Sequence, residues 1–281
     1  MKLTVLVDNN TLTDLYFSGE PGFSLFIEWE DFSGLFDVGY SGCFLGNAQR
    51  AGIDVCDCDF IAFSHGHADH TWGLSYLLSH RFERMVNGKI LRSPVFYAHP
   101  DAFLSRTAHG LPEVGMLVTR ERLEAHGTVV TSRNPVFIRE DLVFLGEIPR
   151  QAGADVPAES GSRYVRKDGE LEEDPLSDDT ALVWRGKNGL VIMTGCSHAG
   201  ICAIVEYACT VCRDDRVQDI IGGFHLFRTS ADRVKEIGAT LAARRVTTVH
   251  PCHCTGSDAR SILSGFLDVK ETGAGMVLTY T

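Results

Sequence analysis

Hydrophobic positions in the first sixty residues come in short runs separated by polar turn formers. Leu3 to Asp8, Ser24 to Glu30, Gly34 to Val38 and Phe60 to Phe63 read as strands, with Glu20-Pro21-Gly22 as an intervening turn. From Thr71 to about Phe82 the spacing of apolar residues becomes helical, and Val95-Phe96-Tyr97-Ala98 returns to a strand. Residues 101 to 135 are mixed in character and carry His109 and His126, while Val143 to Arg150 reads as a strand ending in a turn. The stretch from 151 to 179 is the most polar, and its acidic run Asp168-Gly169-Glu170-Leu171-Glu172-Glu173-Asp174-Pro175 is expected to be a solvated lid or linker. Beyond it, Thr180 to Trp184 and Leu190 to Thr194 flank Arg185-Gly186-Lys187-Asn188-Gly189 and predict a hairpin. A helix (Ile201 to Val211), a strand (Asp219 to Gly222), a helix (Ser230 to Arg244) and a strand (Val246 to Val249) follow.

This alternation makes the chain α/β. No solenoid repeat is visible, but the strands fall into two groups that divide between Arg139 and Asp179. One domain over residues 1–281 accounts for this if two mixed sheets pack face to face with helices outside, an αββα sandwich. Its strand-end loops would then meet at one edge. A chain of 281 residues buries an adequate core without disulfide or metal staples.

The densest chemistry lies where the Phe60 strand ends. His65-Gly66-His67-Ala68-Asp69-His70 places four metal-ligand side chains in one loop. Residues two apart at a strand end point to the same side, so His65 and His67 can converge on one ion. Asp69 and His70, at the turn into a helix, would stand beside them, a geometry suited to two metals about 3.5–4 Å apart. A helix cap at Asp69 explains one of these residues but not all four. Three later loops carry further ligand types just past strands: Cys196 and His198 in Gly195-Cys196-Ser197-His198-Ala199-Gly200, His225 in Gly222-Gly223-Phe224-His225-Leu226, and His253 in His250-Pro251-Cys252-His253-Cys254. Any one of these histidines alone would be read as a hydrogen-bonded loop residue. With the first loop present, His198 and His253 are candidate ligands, and Cys196 and His225 are additional ones.

Charge narrows the substrate. A formal net charge of −11 and a pI near 5.4 disfavour nucleic acid, whose phosphates need Lys and Arg. No stretch reaches the roughly 18 apolar residues of a membrane span, and the N-terminus turns polar too early for a signal peptide. A cytoplasmic enzyme on a small-molecule substrate is expected, with homo-oligomerisation left open. The nine cysteines are an odd number without zinc-ribbon spacing, which argues for core residues rather than a disulfide framework. Cys209-Thr-Val-Cys212 falls late in a helix, the wrong end for a lowered thiol pKa.

The His-x-His-x-Asp-His box behind an apolar strand resembles the metallo-β-lactamase superfamily. Within it, Gly146-Glu147-Ile148-Pro149-Arg150, Thr194-Gly195-Cys196-Ser197-His198-Ala199-Gly200, Gly222-Gly223-Phe224-His225-Leu226 and His253-Cys254-Thr255-Gly256 resemble the 7,8-dihydropterin-6-methyl-4-(β-D-ribofuranosyl)aminobenzene-5′-phosphate synthase-like subgroup. The resemblance implies an αββα sandwich with a dinuclear site. His65 and His67 would hold one metal and Asp69 and His70 the second, with His253 completing the set and His198 as the remaining ligand. Two features depart from the broad superfamily. Asp178-Asp179 stand where a separate histidine loop is expected ahead of the final hairpin, and Cys196 replaces the usual bridging aspartate. Both argue against a true β-lactamase.

The reaction expected of such a centre is hydrolysis. Two divalent ions, zinc first and manganese or iron as alternatives, raise the acidity of water and polarise a carbonyl or phosphoryl oxygen, with Asp69 ligating and handling a proton. The subgroup implies a related displacement that joins a pterin to an arylamine ribose phosphate. Arg150 and Arg163 are candidate phosphate contacts. Three competitors remain: iron-based redox chemistry on the same ligands, a metal-binding sensor without turnover, and a serine hydrolase built on Ser197 with His225 or His253 as base.

Overall fold

A computed structural model describes residues 1–150 and 163–281. The described backbone forms two compact units: residues 1–131, 163–175 and 273–280 make the first, and residues 132–150 and 176–272, with Thr281, the second. Each unit holds one seven-stranded mixed sheet with its own helices, so the chain is a mixed α/β protein.

In the first unit the sheet order is Val277–Thr279, Lys2–Val7, Ser24–Trp29, Phe32–Phe36, Phe60–Ala62, Val95–Ala98 and Thr128–Thr131. The first four pair antiparallel and the rest parallel. Phe60–Ala62 and Val95–Ala98, inside the parallel part, are short and almost wholly apolar, as strands covered by helices require, whereas the edge strand Thr128–Thr131 is part threonine and less buried. Leu6, Leu35, Ile61, Phe63 and Phe96 are fully buried together with Phe44 of the helix Cys43–Ala51 and Leu74 and Leu77 of the helix Gly73–Val86. The helix read from Thr71 to Phe82 is thus two pieces, Ala68–Thr71 and Gly73–Val86, the first beginning inside the histidine box.

The acidic run is corrected by the structure. Arg163–Lys167 and Glu170–Glu173 form an antiparallel pair that joins Arg106–Ala108 in a three-stranded sheet. Strand Glu170–Glu173 is exposed along its length, which is why its composition reads as solvated loop. Asp174 at its end is buried, however, and accepts from Arg106 Nε at 2.8 Å. A charge run shows average polarity and hides the one carboxylate that has found a buried cation. The remainder of the expected lid, residues 151–162, lies outside the described residues.

The second unit orders its sheet as Asp268–Val269, Thr248–Cys252, Val217–Gly223, Gly189–Thr194, Ala181–Gly186, Leu142–Phe144 and Val136–Phe137. The hairpin expected around Lys187 is present, with Ala181 opposite Thr194. Three neighbouring strands then run parallel, pairing Thr194 with Gly222 and Gly222 with Pro251. Parallel pairing sets their C-terminal ends level, and the Cys196, His225 and His253 loops leave from those ends. The helices Ile201–Cys212, Ala231–Ala243 and Ser257–Leu263 contribute Ile204, Val205, Ile237, Leu241 and Leu263 to the core with Ile192, Ile220 and Val249. Cys209 and Cys212 sit in that core, and burial pushes the Cys212 thiol up to about 11, so they are packing residues. Among the described residues no helix is long and apolar enough to cross a membrane.

Candidate metal centre

In the first unit the four residues of the histidine box come together. His65 Nε2 lies 3.0 Å from His67 Nδ1, and the His65 and His70 rings are 4.3 Å apart. His70 Nε2 is 3.7 Å from Asp69 Oδ2. Gly66 makes this turn possible, because a Cβ there would lie 2.3 Å from the Ala102 carbonyl oxygen.

Two buried residues not singled out from the sequence orient the rings. Asp37, at the end of the strand Phe32–Phe36 and at φ 59°, is fully buried. Its Oδ1 accepts from the Ser64 amide at 2.7 Å, and its Oδ2 accepts from Ser64 Oγ at 2.6 Å and lies 2.7 Å from His70 Nδ1. An ionised carboxylate only accepts, so His70 Nδ1 carries the proton and Nε2 keeps its lone pair. Ser64 Oγ, having donated to Asp37, accepts from His65 Nδ1 at 2.9 Å, so the His65 proton sits on Nδ1 and the lone pair on Nε2, the nitrogen facing His67. The signal for Asp37 in the sequence is one acid directly after an apolar strand, too common a pattern to single out.

His67 is held neutral. Desolvation lowers its pKa to about 3, with the Arg106 and Arg163 cations adding to the effect and the Asp69 carboxylate opposing it. A neutral imidazole is the form that binds a metal ion.

A pocket of about 490 Å³ opens beside this cluster, lined by His67 and Asp69, by the apolar side chains of Tyr40, Ala108, Leu111 and Val114, and by Arg163. Tyr40 stacks on Trp72 with ring centroids 5.3 Å apart. Arg163 is therefore placed at the cluster, whereas Arg150 donates to the Leu176 carbonyl at 2.6 Å within the second unit.

The second unit gathers the later candidates. Cys196 Sγ is 3.3 Å from His253 Nε2, and the His198 and His225 rings lie 4.4 Å apart. His198 and His225 are buried, as is Cys196. Cys254, not a candidate from the sequence, joins them: its Sγ accepts from the His225 amide at 3.2 Å. Desolvation raises this thiol, but hydrogen bonding with Cys196 and the charge of His253 outweigh it and bring the pKa well below the usual thiol range. Asp179 accepts from the Ala199 amide at 2.9 Å, and burial pushes its pKa up to about 7, against those backbone hydrogen bonds.

Ser197 does not act as the serine reading requires. Its buried Oγ donates to the Gly223 carbonyl at 2.7 Å and pairs with Thr194 Oγ1 at 2.8 Å, so it ties two strand ends together. The residue stands at φ 59°, fixing the turn that presents Cys196 and His198.

The model for the metallo-β-lactamase superfamily matches residues 18–170, which include the histidine box. The chain belongs to this superfamily. It is 31% identical to an uncharacterised protein of Methanocaldococcus jannaschii over 93% of either chain. It is 29% identical over its full length to the 7,8-dihydropterin-6-methyl-4-(β-D-ribofuranosyl)-aminobenzene-5′-phosphate synthase of the same organism, covering 97% of that protein. A crystal structure described as a metal-dependent hydrolase of the β-lactamase superfamily superposes with a TM-score of 0.83 at 30% identity, covering 100% of this chain and 99% of the other. The two mixed sheets with helices match the fold of these superfamily members.

The metal ions this superfamily implies fit the residues present. The first cluster offers neutral imidazoles with fixed tautomers and a carboxylate, and the second offers imidazoles and thiols. This donor chemistry suits zinc or iron better than magnesium or calcium, which prefer oxygen.

Proposed function

We propose that this protein is a metal-dependent, hydrolase-type enzyme that uses two divalent ions, zinc in first place, to direct water against a small, phosphorylated substrate. The proposed ligands are His65, His67, Asp69, His70, His198 and His253, with Cys196 and His225 as further donors. The observation that carries this reading is the Asp37–Ser64 network, which fixes the tautomers of His65 and His70 with the ring proton on Nδ1 and the lone pair on Nε2. Nothing in core packing calls for buried tautomers set in this way.

Ions held there supply Lewis acidity, polarising a substrate oxygen and favouring deprotonation of water. Asp69 accepts that proton or orients the water, since its carboxylate borders both the histidines and the pocket. Tyr40, Leu111 and Val114 exclude bulk water from an apolar portion of the substrate, and Arg163 binds a phosphate at the rim. Full-length similarity to the dihydropterin synthase supports a second reading of the same site, in which an arylamine ribose phosphate is joined to a pterin rather than hydrolysed.

Elemental analysis with phosphomonoester and phosphodiester hydrolysis tests the reading. About two equivalents of zinc or manganese and chelator-sensitive turnover are expected. His67→Ala should remain folded and lose bound metal. Full metal retention in that variant overturns the ligand assignment, and iron with visible absorption and no hydrolysis shifts the reaction to redox chemistry.

A further inference from the structure

The helix Gly73–Val86 buries one face and leaves large apolar residues exposed on the other. Leu74, Leu77 and Arg81 are buried, and Arg81 anchors the inner side by donating to the Cys56 carbonyl and, at 2.7 Å, to the Arg92 carbonyl. On the outside Phe82 is 63% exposed, Met85 58% and Val86 69%, and Ile90, just past the turn at Gly88, is 98% exposed. Together these four leave on the order of 500 Å² of apolar side chain in water, as much as the largest patch on a typical monomer, and all of it on one element and its C-terminal turn.

The outer stripe is also graded by size. Ser75, Ser79, Phe82 and Val86 are all exposed and follow one another at alternating spacings of four and three residues, so they share one face. Small residues hold the first half of the stripe and large ones the second. Such a face complements itself when two copies run antiparallel, because Phe82 then falls over Ser79 of the second copy and Val86 over its Ser75. Ser75 Oγ donates to the Trp72 carbonyl at 2.9 Å, so covering it strands no donor. The charges here do not oppose the contact despite the net −11 of the chain: Glu83 and Lys89 are of opposite sign, and Arg84 is paired with Asp54.

We propose that this face docks a second copy of the same chain, as a two-fold symmetric, antiparallel helix pair with Phe82 over Ser79 and Val86 over Ser75. Covering the patch on both copies removes about 1,000 Å² of apolar surface, which reaches the size of a specific interface. Serines at the facing positions let the helix axes approach to the about 8–10 Å of packed helices. A two-fold contact uses the same patch on both chains, so it closes at two. The pairing does not rest on the reaction proposed above.

Sedimentation equilibrium of the 281-residue chain tests it, at concentrations from about 1 to 100 µM, the range expected for an interface of this modest size. Wild type should reach twice the 30.9 kDa of one chain within that range. Val86→Glu, which buries a carboxylate without a partner, should stay monomeric throughout. Phe82→Ser and Ser79→Phe should each weaken association by about 10-fold or more. The combined size swap should restore it, since a large residue then falls over a small one again. These positions are exposed, and far-ultraviolet circular dichroism establishes that each variant is folded. Wild type that stays monomeric assigns the face to another occupant and overturns the proposal, as does dimerisation that folded Val86→Glu leaves unchanged. A size swap no better than its single variants overturns the antiparallel pairing.

Discussion

Asp37→Asn separates the role of the buried carboxylate from its volume. Asp37 accepts from the Ser64 amide, from Ser64 Oγ and from His70 Nδ1, at 2.6–2.7 Å. Asparagine keeps the shape but has one accepting oxygen. If that oxygen stays with the Ser64 amide, the new NH₂ faces His70 Nδ1, and the ring proton must move to Nε2, the nitrogen that ligates. If the amide is flipped, its NH₂ opposes the Ser64 N–H. The loss of one charge-assisted hydrogen bond costs metal-free stability about 1.5–3 kcal/mol. The wrong tautomer costs metal affinity about 10–100-fold, the usual effect of losing a carboxylate behind a ligating histidine. Competition titration of zinc against a chromophoric chelator measures the second quantity, and urea unfolding in the presence of chelator measures the first. A folded variant with wild-type zinc affinity would refute the tautomer argument, and with it the claim that Asp37 sets the site.

Two further outcomes follow from buried charges outside that network. Burial pushes the folded pKa of Asp179 up to about 7, from the 3.8 of an ordinary aspartate, so the native state binds the proton more tightly than the unfolded chain. Its contribution to metal-free stability is full below about pH 4 and is lost as pH rises through about 7, by up to roughly 4 kcal/mol. Asp179→Asn should flatten that part of the profile, and unfolding at pH 5 and pH 8 in chelator checks it: an unchanged difference between the two pH values would count against the shift. Arg106→Ala removes the buried cation 2.8 Å from the Asp174 carboxylate and should cost about 3–5 kcal/mol in thermal or urea unfolding. A loss below about 1 kcal/mol would mean the pair is solvated and behaves as a surface contact.

Elements whose pattern is local are legible in the order of residues alone. Strand Val95–Ala98, the hairpin around Lys187 and the helix from Ile201 are apolar runs of the right period with turn residues between them, and the structure places them there. The four residues of the histidine box were legible for the same reason, since a single loop holds them all. The Val277–Thr279 strand was not, because it is half exposed and owes its existence to pairing with Lys2–Val7 at the other end of the chain. Glu170–Glu173 is a strand only because Arg163–Lys167 and, through it, Arg106–Ala108 supply hydrogen-bond partners. The same distinction runs through the sites. Residue types announced the imidazoles, but the tautomers of His65 and His70 are set by Asp37, 28 or more residues away. Cys254 comes to lie beside Cys196 and His225 only because three parallel strands align their ends. Periodicity and loop composition are properties of neighbouring residues and can be read in order; hydrogen-bond partners and donor convergence depend on strand register, which long-range packing alone decides.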